Sequence, residues 1–244
     1  MNTAKTTAST NEVVTQKGSK TSIKLPDGTR VWLNSDSKLT YAEDFSGSKR
    51  EINLTGEAYF DVAHDADRPF IIHTQKMDIR VLGTAFNVKS YPQDDIVETV
   101  LIRGKIEVTF PGRLAEKIIL KPNEKLILRK EPEKQNSSAN EIKTNTQIPK
   151  MMVNTLEYIS KDSVVAETAW LDNKLAFTNE TLGNIAVELE RKFDIRIDFK
   201  TEALKAYRYT GLFDQQNPEK ILQLLSLSKA FKLRVEDKRI ILSQ

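Results

Sequence analysis

Arg50-Glu-Ile-Asn-Leu-Thr-Gly-Glu-Ala-Tyr-Phe-Asp-Val-Ala63, continued by Arg68-Pro-Phe-Ile-Ile-His-Thr74 and Val81-Leu-Gly-Thr-Ala-Phe-Asn-Val88, decides the fold. Apolar residues recur at every second position, the period of a strand with one buried face. Gly56 and Gly83 interrupt these runs, and Gly104 does the same further on. Glycine inside a strand pattern marks a bulge, a tight bend or a close approach of backbone. The alternation extends in both directions. Upstream, Ile23 and Leu25, a turn at Pro26-Asp27-Gly28, then Val31 and Leu33 read as a hairpin; downstream come Ile96 to Ile102 and Lys105 to Phe110. About ten short strands with nothing helical between them predict an all-β domain over residues 21–131, either a sandwich or a flattened β-roll.

Residues 1–20 are polar and Thr-rich, and read as a flexible tether. Residues 132–168 are rich in Pro, Ser, Asn and Lys and read as a linker, in which Met151 to Ile159 is a short strand or a short helix. A second pattern fills 169–244. Trp170 to Phe177 reads as a strand with a turn at Asp172-Asn173. Leu182, Ile185, Ala186, Leu189 and Phe193 then fall on one helical face, with Asn179 as the expected N-cap. Ile195 to Phe199 returns to alternation. Asn217-Pro218-Glu219 opens a second helix carrying Ile221, Leu224 and Leu225 inward, and a hairpin around Glu236-Asp237-Lys238 closes the chain. The predicted order, β-α-β-β-α-β-β, is a small α+β domain.

Composition removes several function classes. The chain has no cysteine, so disulfides, thiolate catalysis and cysteine metal sites are excluded. Its 37 Lys and Arg against 34 Asp and Glu are interspersed, and residues 169–244 hold 13 basic against 11 acidic residues, so no basic block points to nucleic acid. No run approaches the roughly 18 apolar residues of a membrane helix, and the N-terminus lacks the apolar core of a signal peptide.

Motifs with chemical potential are few. His64-Asp65-Ala66-Asp67 offers an imidazole and two carboxylates but no second ligand pair at metal-site spacing, so it reads as a polar turn; His73 reads as an outward residue on its strand. Glu57 and Asp61 share a strand face and could serve as an acid pair, yet no nucleophile or cofactor motif accompanies them; a hydrogen bond or ion pair of Glu57, for instance with Arg50 or Arg68, is the expected role. Trp32 and Trp170 are potential sugar platforms, the basis of an alternative reading as an envelope glycan-binding module, but core packing accounts for both. No GxGxxG or Walker-type run occurs. The chain is read as a non-enzyme without metal or cofactor.

The ordered series Ile23-Lys-Leu-Pro-Asp-Gly-Thr-Arg-Val-Trp-Leu-Asn34, Arg50 to Ala63, Arg68 to Thr74, Val81 to Val88, Glu98 to Thr109 and Leu120 to Leu128 resembles the FecR-type regulators. Gly28, Gly56, Glu57, Pro69, Phe70, Gly83, Thr84 and Gly104 carry that resemblance as structural positions. Residues 169–244 resemble the small C-terminal domain of such proteins, itself similar to the N-terminal signalling domain of TonB-dependent receptors. The marks are Thr168-Ala-Trp170, Leu175-Ala-Phe177, Leu189-Glu-Arg191, Tyr209-Thr-Gly211 and Leu222-Gln-Leu-Leu225.

The resemblance implies the periplasmic portion of an anti-sigma regulator. A transmembrane helix and a cytoplasmic segment that meets an extracytoplasmic-function sigma factor would lie outside this sequence. The partner of 169–244 would be the signalling domain of an outer-membrane TonB-dependent receptor. Arg208, Tyr209 and Phe213 combine residue types enriched at binding hot spots and mark the expected docking strand, although Tyr209 and Phe213 packing on the second helix is an equal reading.

Overall fold

The structure, a computed structural model, describes residues 10–129, 150–156, 158–159, 164–214 and 217–244. The first domain contains β1 (Thr10–Thr15), β2 (Thr21–Lys24), β3 (Arg30–Leu33), β4 (Ser37–Ala42), β5 (Arg50–Asp61), β6 (Phe70–His73), β7 (Asp78–Val81), β8 (Ala85–Ser90), β9 (Ile96–Arg103), β10 (Ile106–Phe110), β11 (Arg113–Leu120), β12 (Glu124–Arg129) and β13 (Lys150–Thr155). These 13 strands form one sheet that curls over itself into two layers.

The long strand β5 makes the curl. Its first half pairs with β4 and, in parallel, with β6; from Gly56 onward it pairs with β3 and β8. One layer therefore runs β1-β4-β5-β6-β7-β10-β11 and the other β2-β3-β5-β8-β9-β12-β13. Gly56 sits at the crossing with φ 103°, and a Cβ there would lie 2.7 Å from Ser37 Cα. Only glycine takes that backbone without strain and lets β4 come so close. Leu33, Phe60, Phe86 and Leu101 from one layer and Leu39, Ile52, Phe70 and Ile79 from the other meet in a single core without solvent exposure.

The hairpin turn at Pro26-Asp27-Gly28 is anchored from below. Arg50 is fully buried; its Nη1 donates to Asp27 Oδ2 at 2.7 Å and to the Ala63 carbonyl at 2.8 Å, and its Nε donates to the Arg68 carbonyl. The guanidinium lies over the Phe70 ring, 5.4 Å from the centroid. The Pro69 carbonyl accepts the Arg50 amide. Thr84 and Gly104 abut at the β8 entry, while Gly83 leaves room for His64.

Two segments differ from the reading of the sequence. The leader is ordered from Thr10, because Thr15 is buried and its hydroxyl donates to the Asn34 carbonyl at 2.5 Å, fixing β1 along β4. A polar anchor leaves no apolar alternation to read. Within the span read as linker, β13 pairs along β12 as an edge strand and so belongs to the β domain. Of that span, residues 132–149, 157 and 160–163 lie outside the described residues, as do 130–131 before it and 1–9 of the tether.

A short ladder, β14 (Tyr158–Ile159) with β15 (Val164–Val165), leads to a 3-10 helix over Ala166–Asp172. The strand expected at Trp170 is therefore helical, and it ends where Asn173 takes a left-handed conformation at φ 63°. The second domain follows the predicted order: β16 (Leu175–Thr181), α1 (Leu182–Phe193), β17 (Arg196–Phe199), β18 (Arg208–Phe213), α2 (Pro218–Ser228), β19 (Lys232–Glu236) and β20 (Arg239–Ser243). β16 pairs with β18, and β20 lies between β17 and β19. Thr181, not Asn179, caps α1, its hydroxyl accepting the Asn184 amide; Asn179 occupies a bulge in β16 with φ 48°. Asn217 caps α2 with Pro218 next in line, as the sequence predicts.

Candidate functional site

α1 has two working faces. Leu182, Ile185, Ala186 and Leu189 pack into the core of the α+β domain. Glu188 and Arg191, three residues apart and so neighbours on the helix surface, turn toward the β domain. Arg191 grips Asp94 with both terminal nitrogens, and its guanidinium lies 3.7 Å from the centroid of the Tyr91 ring. Its carbonyl also accepts the Gly18 amide from the β1–β2 connection. Glu188 stands 3.4 Å from Lys89 Nζ.

Trp170 extends this seam. Its indole Nε1 donates to Asn87 Oδ1 at 3.2 Å, the Asn87 amide donates to Glu57 Oε1, and Asn34 donates to Glu57 Oε2 at 2.8 Å. Lys20 reaches across to the Trp170 carbonyl and to Asn173 Oδ1, both at 2.6 Å, while Lys192 takes the Asn173 carbonyl. Two ammonium groups thus cap the 3-10 helix at its carbonyl end, where positive charge is favoured. Burial, and then the nearness of Lys20, pulls the Lys192 ammonium down to about 8. Lys125 pairs with Glu167 at the far end of the seam.

The electrostatics are those of charges removed from water. Burial pushes the Glu57 carboxyl up, and Glu188 adds to this against Lys89 and the two amides. Lys89 is pulled down by burial, but Glu188, Glu57, Asp94 and Glu98 outweigh it and hold the ammonium above its ordinary value. Burial and then Glu57 raise the Tyr91 phenol.

Burial first, then the Glu167 carboxylate, pushes the Glu98 carboxyl from 4.5 up to about 7. The folded chain therefore holds a proton that the unfolded chain has already released. This group costs nothing below about pH 4.5, subtracts stability as pH rises from there to 7, and exerts its full penalty above 7. Glu98→Gln is expected to be about 1–2 kcal/mol more stable than the parent at pH 8 and equal to it at pH 4. Urea unfolding at both pH values measures this, and a difference independent of pH would contradict it.

The residues singled out from the sequence fall in different places. Glu57 accepts from two asparagines, whereas the expected partners Arg50 and Arg68 pair with Asp27 and Asp65. Asp61 pairs with Arg103, so the two acids do not work together. Asp65 holds the turn before Arg68 through the Asp67 and Arg68 amides. His73 stands 2.8 Å from Asp78, and no metal-binding cluster of His, Asp and Glu occurs among the described residues. Trp32 packs edge-on against Tyr59, and Trp170 is buried in the seam.

On β18, Tyr209 is only 6 % exposed and packs in the domain core, its phenol raised to about 12 by burial and then by Tyr207. Phe213 is half-buried against Phe177, and Arg208 is exposed, donating to the Asn179 carbonyl. The β18 edge away from β16 carries no ladder partner among the described residues, and the same is true of the outer edge of β19. Sequence reading missed the seam residues Lys20, Asn34, Asn87, Lys89, Asp94 and Glu188. The available signal was Asn87, an asparagine inside the apolar run Ala85-Phe86-Asn87-Val88, where strands disfavour it.

Residues 11–107 match the FecR protein family, and residues 174–242 match the FecR C-terminal family. The matches span about two thirds of the chain, and the chain belongs to the FecR family. Two crystal structures of a candidate anti-sigma factor from Parabacteroides distasonis ATCC 8503, at 1.65 and 2.50 Å resolution, share this two-domain fold. They superpose with TM-scores of 0.80 and 0.81 at 28 % identity, covering 96 % of this chain and 99 % of theirs. No curated protein matches the chain. The family and these neighbours are regulators rather than enzymes.

Proposed function

We propose that the chain is the periplasmic portion of a membrane-anchored anti-sigma regulator, receiving a signal from an outer-membrane TonB-dependent receptor and relaying it toward an extracytoplasmic-function sigma factor. The observation that carries this reading is the succession of a FecR domain and a FecR C-terminal domain in one chain, matched along 96 % of its length by the anti-sigma neighbours. The α+β domain would dock the receptor's signalling domain by strand addition at β18, where the free backbone edge supplies hydrogen bonds and Arg208 the exposed side chain. Tyr209 and Phe213 would support that strand from within. The β domain would transmit toward the membrane, with the seam through α1 as the mechanical link.

Calorimetric titration of the whole chain with the receptor signalling domain encoded beside it tests the reading. A one-to-one complex is expected, weakened about five- to tenfold by Arg208→Glu. Unchanged binding by that variant and by a β18 backbone variant, Leu212→Pro, that keeps a native circular dichroism spectrum would move the docking edge elsewhere. No complex with the parent chain would remove the receptor from the proposal.

A further inference from the structure

A cavity of about 460 Å³ lies along the seam, walled by both domains, within the size range of small-molecule sites. Its wall is chemically unfinished. Five buried polar side-chain atoms have no hydrogen-bond partner among the described residues, and three of them line this cavity: Glu167 Oε2, Thr178 Oγ1 and Arg191 Nε. The Glu167 side chain is 10 % exposed and that of Arg191 7 %, so bulk water does not satisfy them. A buried polar atom left unpaired costs free energy, and a bound group that pairs with it recovers that cost.

Charge defines the occupant. Nine carboxylates line the cavity against five basic groups. Arg191, Lys125 and the half-buried Lys89 are already committed, Arg191 to Asp94, Lys89 to Glu188 and Lys125 to Glu167. Glu98 and Glu57 also line this space; burial first raises both carboxyls, and Glu167 beside Glu98 and Glu188 beside Glu57 add to it. Trp170 and Phe177 add aromatic wall, a surface that favours cations. Among the described residues, the unpaired buried donors in this wall are Arg191 Nε and the Thr178 hydroxyl, set among nine carboxylates.

We propose that this cavity is a binding site for a small organic ammonium compound that also carries a hydroxyl or carbonyl oxygen. Its N–H groups meet Glu167 Oε2, Glu98 and the Thr178 hydroxyl, and its oxygen accepts from Arg191 Nε. Because both domains form the wall, the occupant ties them together and its affinity depends on how they are set against each other. The site is independent of the receptor reading: a chain that binds the amine and no receptor keeps it.

Lysinamide, with two ammonium groups and a carbonyl, is a suitable probe, and diacetyl-lysinamide is its uncharged counterpart. Titration of the full chain carrying Trp32→Phe leaves Trp170, in the cavity wall, as the sole tryptophan reporter. Lysinamide is expected to change its emission with one-to-one stoichiometry at pH 7.5, with affinity falling at least about tenfold in Glu167→Gln and in Glu98→Gln. The distant exposed variant Glu12→Gln should bind as the parent does. No lysinamide binding up to about 10 mM would mean that the cavity holds water only and would overturn the proposal. Equal binding of the acetylated probe, or full affinity in both acid variants, would overturn it as well.

Discussion

Asp27→Ala is expected to destabilise the protein by about 3–5 kcal/mol, because it strands the Arg50 guanidinium without a counter-ion in a fully buried site. The side chains are 0 % and 3 % exposed, so water cannot replace the lost carboxylate. Asp27 also accepts from the Thr29 amide and hydroxyl, which hold the turn that begins β3. The measurement is the urea midpoint with the slope unchanged. Replacing both partners, as in Asp27→Leu with Arg50→Met, should restore much of the loss, since the burial penalty of the charge disappears with the charge. A loss of under about 1 kcal/mol in the single variant would show that Arg50 finds other compensation.

Gly56→Ala should cost about 2–5 kcal/mol, the sum of a left-handed backbone forced on a side chain and overpacking against β4. The new methyl meets Ser37, whose hydroxyl donates to the Ser35 carbonyl, accepts the Glu57 amide and touches the Tyr91 hydroxyl. Displacing Ser37 therefore disturbs the Tyr91 ring beneath Arg191, and domain contact should loosen along with the fold. Thermal unfolding measures the first effect. Faster amide exchange at Gly18, whose hydrogen bond to the Arg191 carbonyl crosses the seam, measures the second. A stable variant with native protection would mean that β4 and β5 can separate at no cost.

The elements that rest on apolar period were legible in the chain: the strands from β2 to β10 except β4, and both helices with the Asn217-Pro218 start of α2. Gly56 could be flagged, but its reason could not, since Ser37 approaches from 19 residues away through the curl of the sheet. Trp170 was read as a strand residue because local alternation suggested one. A left-handed Asn173, at the turn the sequence had marked, and Lys20, 150 residues away in the β domain, decide otherwise. The seam was the least legible part. Its members are asparagines, lysines and acids spread from Lys20 to Lys192, and only short local pairs such as Asn87 with Lys89 and Glu188 with Arg191 share the period of their own element. Tyr209 shows the opposite case: it alternates with the exposed Arg208 and Thr210, so its burial follows from strand period once β18 is a strand.

The sharing of β5 bears on how the β domain comes apart. Six of its residues are tied into one layer and the rest into the other, so melting either layer removes a central strand from its neighbour. The two layers thus have no separate folding units, and partial opening is confined to what hangs at the margins, β1, β2, β11 and β13. Tension that peels a margin strand stops where it reaches β5, so the domain passes a pull along its length as a stiff body instead of absorbing it by unravelling.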